Sequence, residues 1–249
     1  MGRKKGFKIS ESQRELLKQE KDLIVGSGEV GKSLHNILSA HYQVNIIDRE
    51  RPKLGYVRNL HICFPYSDDF IKEVKKCQRL YRPLQTIVHS TVRLGTNRKL
   101  NSISSPILGV HPNLEPGIRT FIKYLGGAQA SEVADYFRRA GLKVYLFDQP
   151  ETPELMKILD TTFYGVCIEY TKDVKKQCEK YGVPFEAWSL WTQNYNQGYQ
   201  KLGYPEFTRP NLVPIETKIK GHCILSNTEL LETPFTKLIK ELNEVENES

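Results

Sequence analysis

Two groups of residues near the start of this 249-residue chain have the types and spacing to do chemistry. The first is Gly26-Ser27-Gly28-Glu29-Val30-Gly31, whose three glycines are spaced to bend a backbone against a diphosphate. The first glycine would make the turn, the second would let the backbone approach the phosphates, and the third would let helix and strand pack closely. Amides at the start of the following helix would face the anion. The second group is Asp48, roughly 20 residues further on, with Arg49 beside it. A carboxylate at that offset accepts hydrogen bonds from the adenosine ribose hydroxyls and repels a 2′-phosphate, so NAD is the expected cofactor. Arg49 pulls the other way, because a guanidinium can hold the extra phosphate of NADP. S-adenosylmethionine would use the same loop and the same acid.

These residues need elements to hold them. Asp22 to Val25 is a short apolar run of the kind found in buried parallel strands. Val30 to Ala40 has helical spacing, with apolar Val30, Leu34, Ile37 and Leu38. Gln43 to Asp48 reads as a second strand ending in the acid, which completes a βαβ unit. Further strands are expected at Asn59–Phe64, Leu84–Ser90, Ile107–Val110, Lys123–Gly127 and Lys143–Phe147, with helices at Phe70–Tyr81 and Ala130–Ala140. From Thr152 to Tyr181 the spacing is purely helical, and helices also fit Pro184–Gln200 and Pro234–Val245. A short helix is expected at Ser10–Glu20. The fold class is therefore α/β: a Rossmann doubly wound, mostly parallel sheet over residues 1–149, followed by a smaller all-helical domain over 150–249.

Composition bounds the rest. The net charge of +7 favours anionic partners, but part of it lies in Arg3, Lys4, Lys5 and Lys8, which read as a solvated terminus rather than a nucleic-acid contact. No segment approaches the roughly 20 apolar residues of a membrane helix, and no secretory leader is visible. The five cysteines are widely spaced and form no CxxC pair, which argues against a disulfide framework or a structural zinc site. A cytoplasmic protein without a metal is expected. Cys63, Cys77, Cys167 and Cys178 read as packing or surface residues. His111 and His222 sit beside turn residues, where hydrogen-bonding roles are commoner than acid–base ones. Trp188, Trp191, Tyr195 and Tyr199 fall at helical spacings and form an interface or core stripe.

Two turns sharpen the reading. His61-Ile62-Cys63-Phe64-Pro65 closes the third strand, and Ser90-Thr91-Val92-Arg93-Leu94-Gly95-Thr96 follows the fourth. With the glycine loop, they resemble the UDP-glucose/GDP-mannose dehydrogenase family, within the wider 6-phosphogluconate dehydrogenase-like class. In that family both turns border the nicotinamide half of NAD, which would place Phe64, Pro65, Ser90 and Thr91 at the cofactor. Glu154-Leu155-Met156-Lys157 resembles the family's Glu-Leu-x-Lys segment with its catalytic lysine, and Gly221-His222-Cys223-Ile224 resembles its Gly-Gly-x-Cys segment with the nucleophile.

The resemblance implies oxidation of an alcohol of a sugar or sugar nucleotide. Lys157 would polarise the oxygen and Cys223 would capture the aldehyde as a thiohemiacetal. A homodimer through the helical domain is expected as well. The pattern departs in places. Thr161 stands where the family has asparagine, with Asp160 adjacent; Lys220 replaces one glycine; the proline after cysteine is missing; and His111-Pro112-Asn113 replaces Asn-Pro-Glu, unless Glu115 takes the glutamate's place. The resemblance covers the first two of three family domains, so a short form lacking the nucleotide-gripping domain is expected. These departures leave two other readings open: an NAD-binding accessory protein of polysaccharide biosynthesis without catalysis, or a methyltransferase using S-adenosylmethionine.

Overall fold

The computed structural model describes residues 21–215, 217–219 and 223–245. The basic residues Arg3 to Lys8, the helix expected at Ser10–Glu20, and Lys220, Gly221 and His222 lie outside the described residues. The chain divides into two compact units, one ending at Lys157 and one beginning at Ile158.

The first unit is built on a sheet of seven strands. They are β1 (Lys21–Val25), β2 (Gln43–Ile47), β3 (Asn59–Ile62), β4 (Gln85–Val88), β5 (Ile103–Ser104), β6 (Lys123–Gly126) and β7 (Val144–Phe147), in the order β2-β1-β3-β4-β5-β6-β7. All neighbours are parallel except β5 and β6, which meet antiparallel at Ser104 and Gly126. Helices α1 (Glu29–Ser39), α2 (Phe70–Tyr81), α3 (Thr96–Leu100), α4 (Leu114–Thr120) and α5 (Ala130–Arg139) connect the strands. This is the expected Rossmann-like, mostly parallel architecture.

Strand period sorts the side chains onto two faces. Ile24 and Ile87 join Leu34, Ile37 and Phe137 in one core, while Leu23, Val25 and Leu60 join Phe70, Val74 and Tyr81 in the other. Each fully buried aliphatic side chain contributes about 2 kcal/mol, and covering both faces is what lets a parallel sheet persist.

One expected strand is absent. Ile107–Val110 is not a strand; Val110 makes only an isolated bridge to Asn113, and the paired segment comes earlier, at β5. Pro106 and Pro112 flank the expected run and cannot donate to a ladder. Helix α4 has no counterpart among the expected elements, and it contains Pro116 and Gly117. The proline falls in the first turn, where no amide is missed. Gly117 permits a close approach: a Cβ there would stand 2.6 Å from the Gly109 Cα.

The second unit begins inside α6 (Glu151–Lys180) and contains α7 (Phe185–Lys201), a 3-10 turn (Pro205–Phe207), α8 (Ile224–Thr228) and α9 (Pro234–Val245). It is helical, as expected. Gly165 lets α6 approach α8 and α9, since a Cβ there would lie 2.9 Å from Ile224 and from Ile239.

Candidate nucleotide-binding site

The glycine loop leaves β1 at the point where strand order reverses, with β2 on one side and β3 on the other. Open α/β sheets bind ligands at such a switch point. Each glycine has a distinct reason to be glycine. Gly26 has φ +108°, and a Cβ there would stand 2.8 Å from the Cys63 carbonyl carbon and 2.8 Å from the Phe64 nitrogen. A Cβ on Gly31 would fall 1.8 Å from the Gly26 oxygen. At Gly28, by contrast, a Cβ would meet nothing within 4 Å. The tight turn and the close helix packing are thus met by Gly26 and Gly31, and Gly28 borders open space where α1 begins.

Gly28 is the N-cap of α1, and no described side chain caps that end. The first amides of a helix then remain available for an anion. Asp48 stands just past β2, and its Oδ1 accepts the Ser27 N–H at 3.3 Å. This fixes the carboxylate against the loop. The residues therefore fit a dinucleotide: free amides for the diphosphate, room beside Gly28, and an acid for the ribose. Arg49 is exposed beside Asp48. Arg51 folds back instead, donating to the Asp48 carbonyl and, at 3.1 Å, to that of Glu50.

Glu29 opens α1 within the same loop. Its Oε2 meets the His111 ring, and its Oε1 is buried with no partner among the described residues. A carboxylate this close would oppose a diphosphate, and its Oε2 is the oxygen that His111 contacts. Val30 is half-buried and packs against the α1–α5 core.

The turns after β3 and β4 are stitched together beside Gly26. Ser90 Oγ donates to the Phe64 carbonyl at 2.6 Å, and the Phe64 ring lies 5.1 Å from that of Phe70. Pro65 and Thr91 flank this contact in the chain. Glu154 secures the second turn from below. Its carboxylate is 2% exposed and accepts the Gly95 N–H at 2.6 Å, the Asn97 N–H at 2.8 Å and the Asn97 side-chain amide at 2.7 Å. Burial pushes its pKa up while these donors hold it down. Sequence reasoning saw Glu154 only as the start of a motif; its role as the anchor of the α3 entry needed the fold.

The expected catalytic residues fall in different units. Lys157 is the last residue of the sheet unit and is half-buried. Thr161 and Cys223 belong to the helical unit. The Thr161 hydroxyl donates to the Ile158 carbonyl at 3.0 Å and accepts from the Asn227 side-chain amide at 3.0 Å. Cys223 is the N-cap residue of α8 and is half-buried. All five cysteines are free thiols. No group of three or more histidine, cysteine or acidic side chains among the described residues is placed to hold a metal.

The aromatic stripe divides. Trp188 packs edge-on against Tyr170 at 6.2 Å, Tyr195 and Tyr199 share a 3.2 Å hydroxyl contact, and Trp191 is 70% exposed. No described helix is long and apolar enough to cross a membrane.

No protein-family model and no curated protein sequence matches the chain. Solved structures match it in fold. A UDP-D-ManNAc dehydrogenase from Pyrococcus horikoshii superposes with a TM-score of 0.71 at 14% identity, over 90% of this chain and 68% of that one. A UDP-glucose dehydrogenase from Pyrobaculum islandicum gives a TM-score of 0.66 at 14% identity, over 91% of this chain and 68% of its own. A 3-hydroxyisobutyrate dehydrogenase from Mycobacterium tuberculosis gives 0.67 at 12% identity, over 91% of this chain and 93% of its own. The chain thus shares its Rossmann-like fold with UDP-sugar and hydroxy-acid dehydrogenases.

Proposed function

We propose that the chain binds NAD at the Gly26–Gly31 loop and is a dehydrogenase acting on an alcohol of a sugar or sugar nucleotide. The observation that carries this reading is the open space at Gly28, at the uncapped start of α1, with Asp48 held against the same loop. The loop amides would bind the diphosphate and Asp48 the ribose hydroxyls, which favours NAD over NADP. The likeness in fold to three dehydrogenases supports the reaction class.

Bound NAD would supply a hydride acceptor. The chain's own residues would do the rest: Lys157 would polarise the substrate oxygen, and the Cys223 thiol would add to an aldehyde carbon, its proton passing to a base. Phe64, Pro65, Ser90 and Thr91 would border the nicotinamide half. Leu190 and Trp191 on α7, 68% and 70% exposed, support a homodimer through the helical unit.

A second reading has its own support. The Thr161 hydroxyl bonds to Ile158 and Asn227 within the helical unit, which suits an NAD-binding protein without catalysis. Incubation with NAD and a panel of UDP- and GDP-sugars, read by the absorbance of reduced nicotinamide, separates the two. Turnover that is lost in Lys157→Met supports the dehydrogenase. Firm NAD binding with no hydride transfer to any substrate selects the second reading.

A further inference from the structure

On the sheet face covered by α1 and α5, Asp22, His61, His89, Lys123 and Tyr136 are each at most 4% exposed. Burying such groups is costly unless each finds a partner. Here the partners are one another. His61 Nδ1 lies 3.0 Å from His89 Nε2, and His61 Nε2 lies 3.2 Å from the Tyr136 hydroxyl. His89 Nδ1 is 3.0 Å from the Ser105 carbonyl and 3.2 Å from Lys123 Nζ. At the other end the Tyr136 hydroxyl and the Asp22 carboxylate act on one another, and Asp22 accepts the Asn59 N–H at 3.0 Å.

The chain of contacts spans the sheet. Asp22 is near the start of β1, whereas Lys123 opens β6, which runs against β5, so it stands level with the carboxyl ends of the parallel strands. Cys63 interacts with Lys123 there, and the Cys63 backbone flanks Gly26.

Proton positions follow from the distances. Between His61 Nδ1 and His89 Nε2 there is room for one hydrogen and need of one. Two neutral rings must therefore both carry their proton on Nε2, or both on Nδ1. In the first arrangement the Lys123 ammonium donates to His89 Nδ1, His89 Nε2–H to His61 Nδ1, His61 Nε2–H to the Tyr136 oxygen, and Tyr136 O–H to the Asp22 carboxylate. In the second the Asp22 carboxyl donates to Tyr136, Tyr136 to His61 Nε2, His61 Nδ1–H to His89 Nε2, and His89 Nδ1–H to the Ser105 carbonyl, leaving Lys123 a neutral amine. The links between His89, His61 and Tyr136 are made in both, while the partner of His89 Nδ1 changes from the Lys123 ammonium to the Ser105 carbonyl.

We propose that these five residues form a proton relay, in which one proton passes between Lys123 at the nucleotide-loop edge and Asp22 at the opposite edge. Each link exchanges one N–H or O–H hydrogen, no electrons change hands, and the net result is a proton moved from lysine to aspartate. Burial lowers the Lys123 amine to about 7 and raises the Asp22 carboxyl. Burial also lowers His61 to about 3 and His89 well below its ordinary value, so the rings pass protons while staying neutral. Other groups facing the chain are the Cys63 thiol, pushed up to about 12 by burial; Arg58, near Asp22; Tyr42, stacked on Tyr136 at 4.3 Å; and Arg139, near Tyr42. The Phe137 ring lies 5.0 Å from Lys123 Nζ.

Histidine nitrogen–proton correlation spectra of the ¹⁵N-labelled full chain near neutral pH test the relay. In the wild type both rings should be neutral, with nitrogen shifts averaged between the two tautomers and in the same proportion. Lys123→Met leaves the Ser105 carbonyl as the partner of His89 Nδ1. Both rings should then move to the pure Nδ1–H limit, including His61, to which Lys123 does not bond. Opposite tautomers, an imidazolium at either ring, or a fixed tautomer unchanged by the variant would each overturn the proposal. If the variant does not fold, the wild-type spectrum decides: matched averaging supports the relay, and one fixed tautomer overturns it.

Discussion

In the sheet unit, Gly28 borders open space at an uncapped helix start and Asp48 is braced against the same loop, whereas in the helical unit the Thr161 hydroxyl bonds to Ile158 and Asn227. One region leaves backbone amides beside open space; the other bonds its hydroxyl to neighbours in its own unit. On the proposed reading, the contrast separates cofactor binding from the chemistry that would follow it. Binding rests on backbone shape, which only a few glycines must preserve. Chemistry rests on individual side chains, and there the chain departs from the family it resembles.

The contrast can be broken at its strongest point first. A Gly31→Val substitution sets a Cβ 1.8 Å from the Gly26 oxygen, and no side-chain rotation relieves a clash with backbone. We expect a loss of roughly 4 kcal/mol or more, with the sheet unit failing to fold; near-native urea denaturation would show that the loop does not have this shape.

Acid should single out the sheet unit next, because His61 and His89 both lie in it. Burial holds both rings below their ordinary value of 6.5, His61 at about 3, so the unfolded chain binds more protons than the folded one below pH 6.5. Stability is therefore retained above 6.5 and falls as pH drops from 6.5 toward 3. Two such groups give a slope approaching about 2.7 kcal/mol per pH unit. Chemical denaturation at a series of pH values measures it, and a flat profile between pH 6 and 5 would remove the buried neutral histidines. The smallest effect is the most specific. Asp48→Asn should weaken NAD binding by about tenfold, near 1.4 kcal/mol, and narrow the preference over NADP without lowering the melting temperature.

What could be read from sequence was whatever local spacing encodes. Gly26, Gly28, Gly31 and Asp48 could be placed because a strand, a turn and a helix follow one another with the right lengths. The second compact unit begins at Ile158, within one continuous helix, where no turn residue marks a change. Glu154 and Gly95 are 59 residues apart, and Glu29 and His111 are 82 apart, so nothing local announces either contact. His61 sits in an ordinary strand pattern, and its partners arrive from after β4 and from α5. Helix α4 carries a proline and a glycine, which weaken its local helical signal. Pro116 fits the first turn, and Gly117 admits the close approach of Gly109, which lies outside any local pattern.

Calorimetric titration with NAD of the wild type and of Gly28→Val, each with its melting temperature, bears most directly on the nucleotide loop. The valine enters open space, so folding should be preserved to within about 1 kcal/mol, while NAD affinity should fall at least ~30-fold, about 2 kcal/mol. A wild type that gives no heat with NAD, or binds S-adenosylmethionine instead, or a variant that binds NAD unimpaired, would contradict the account.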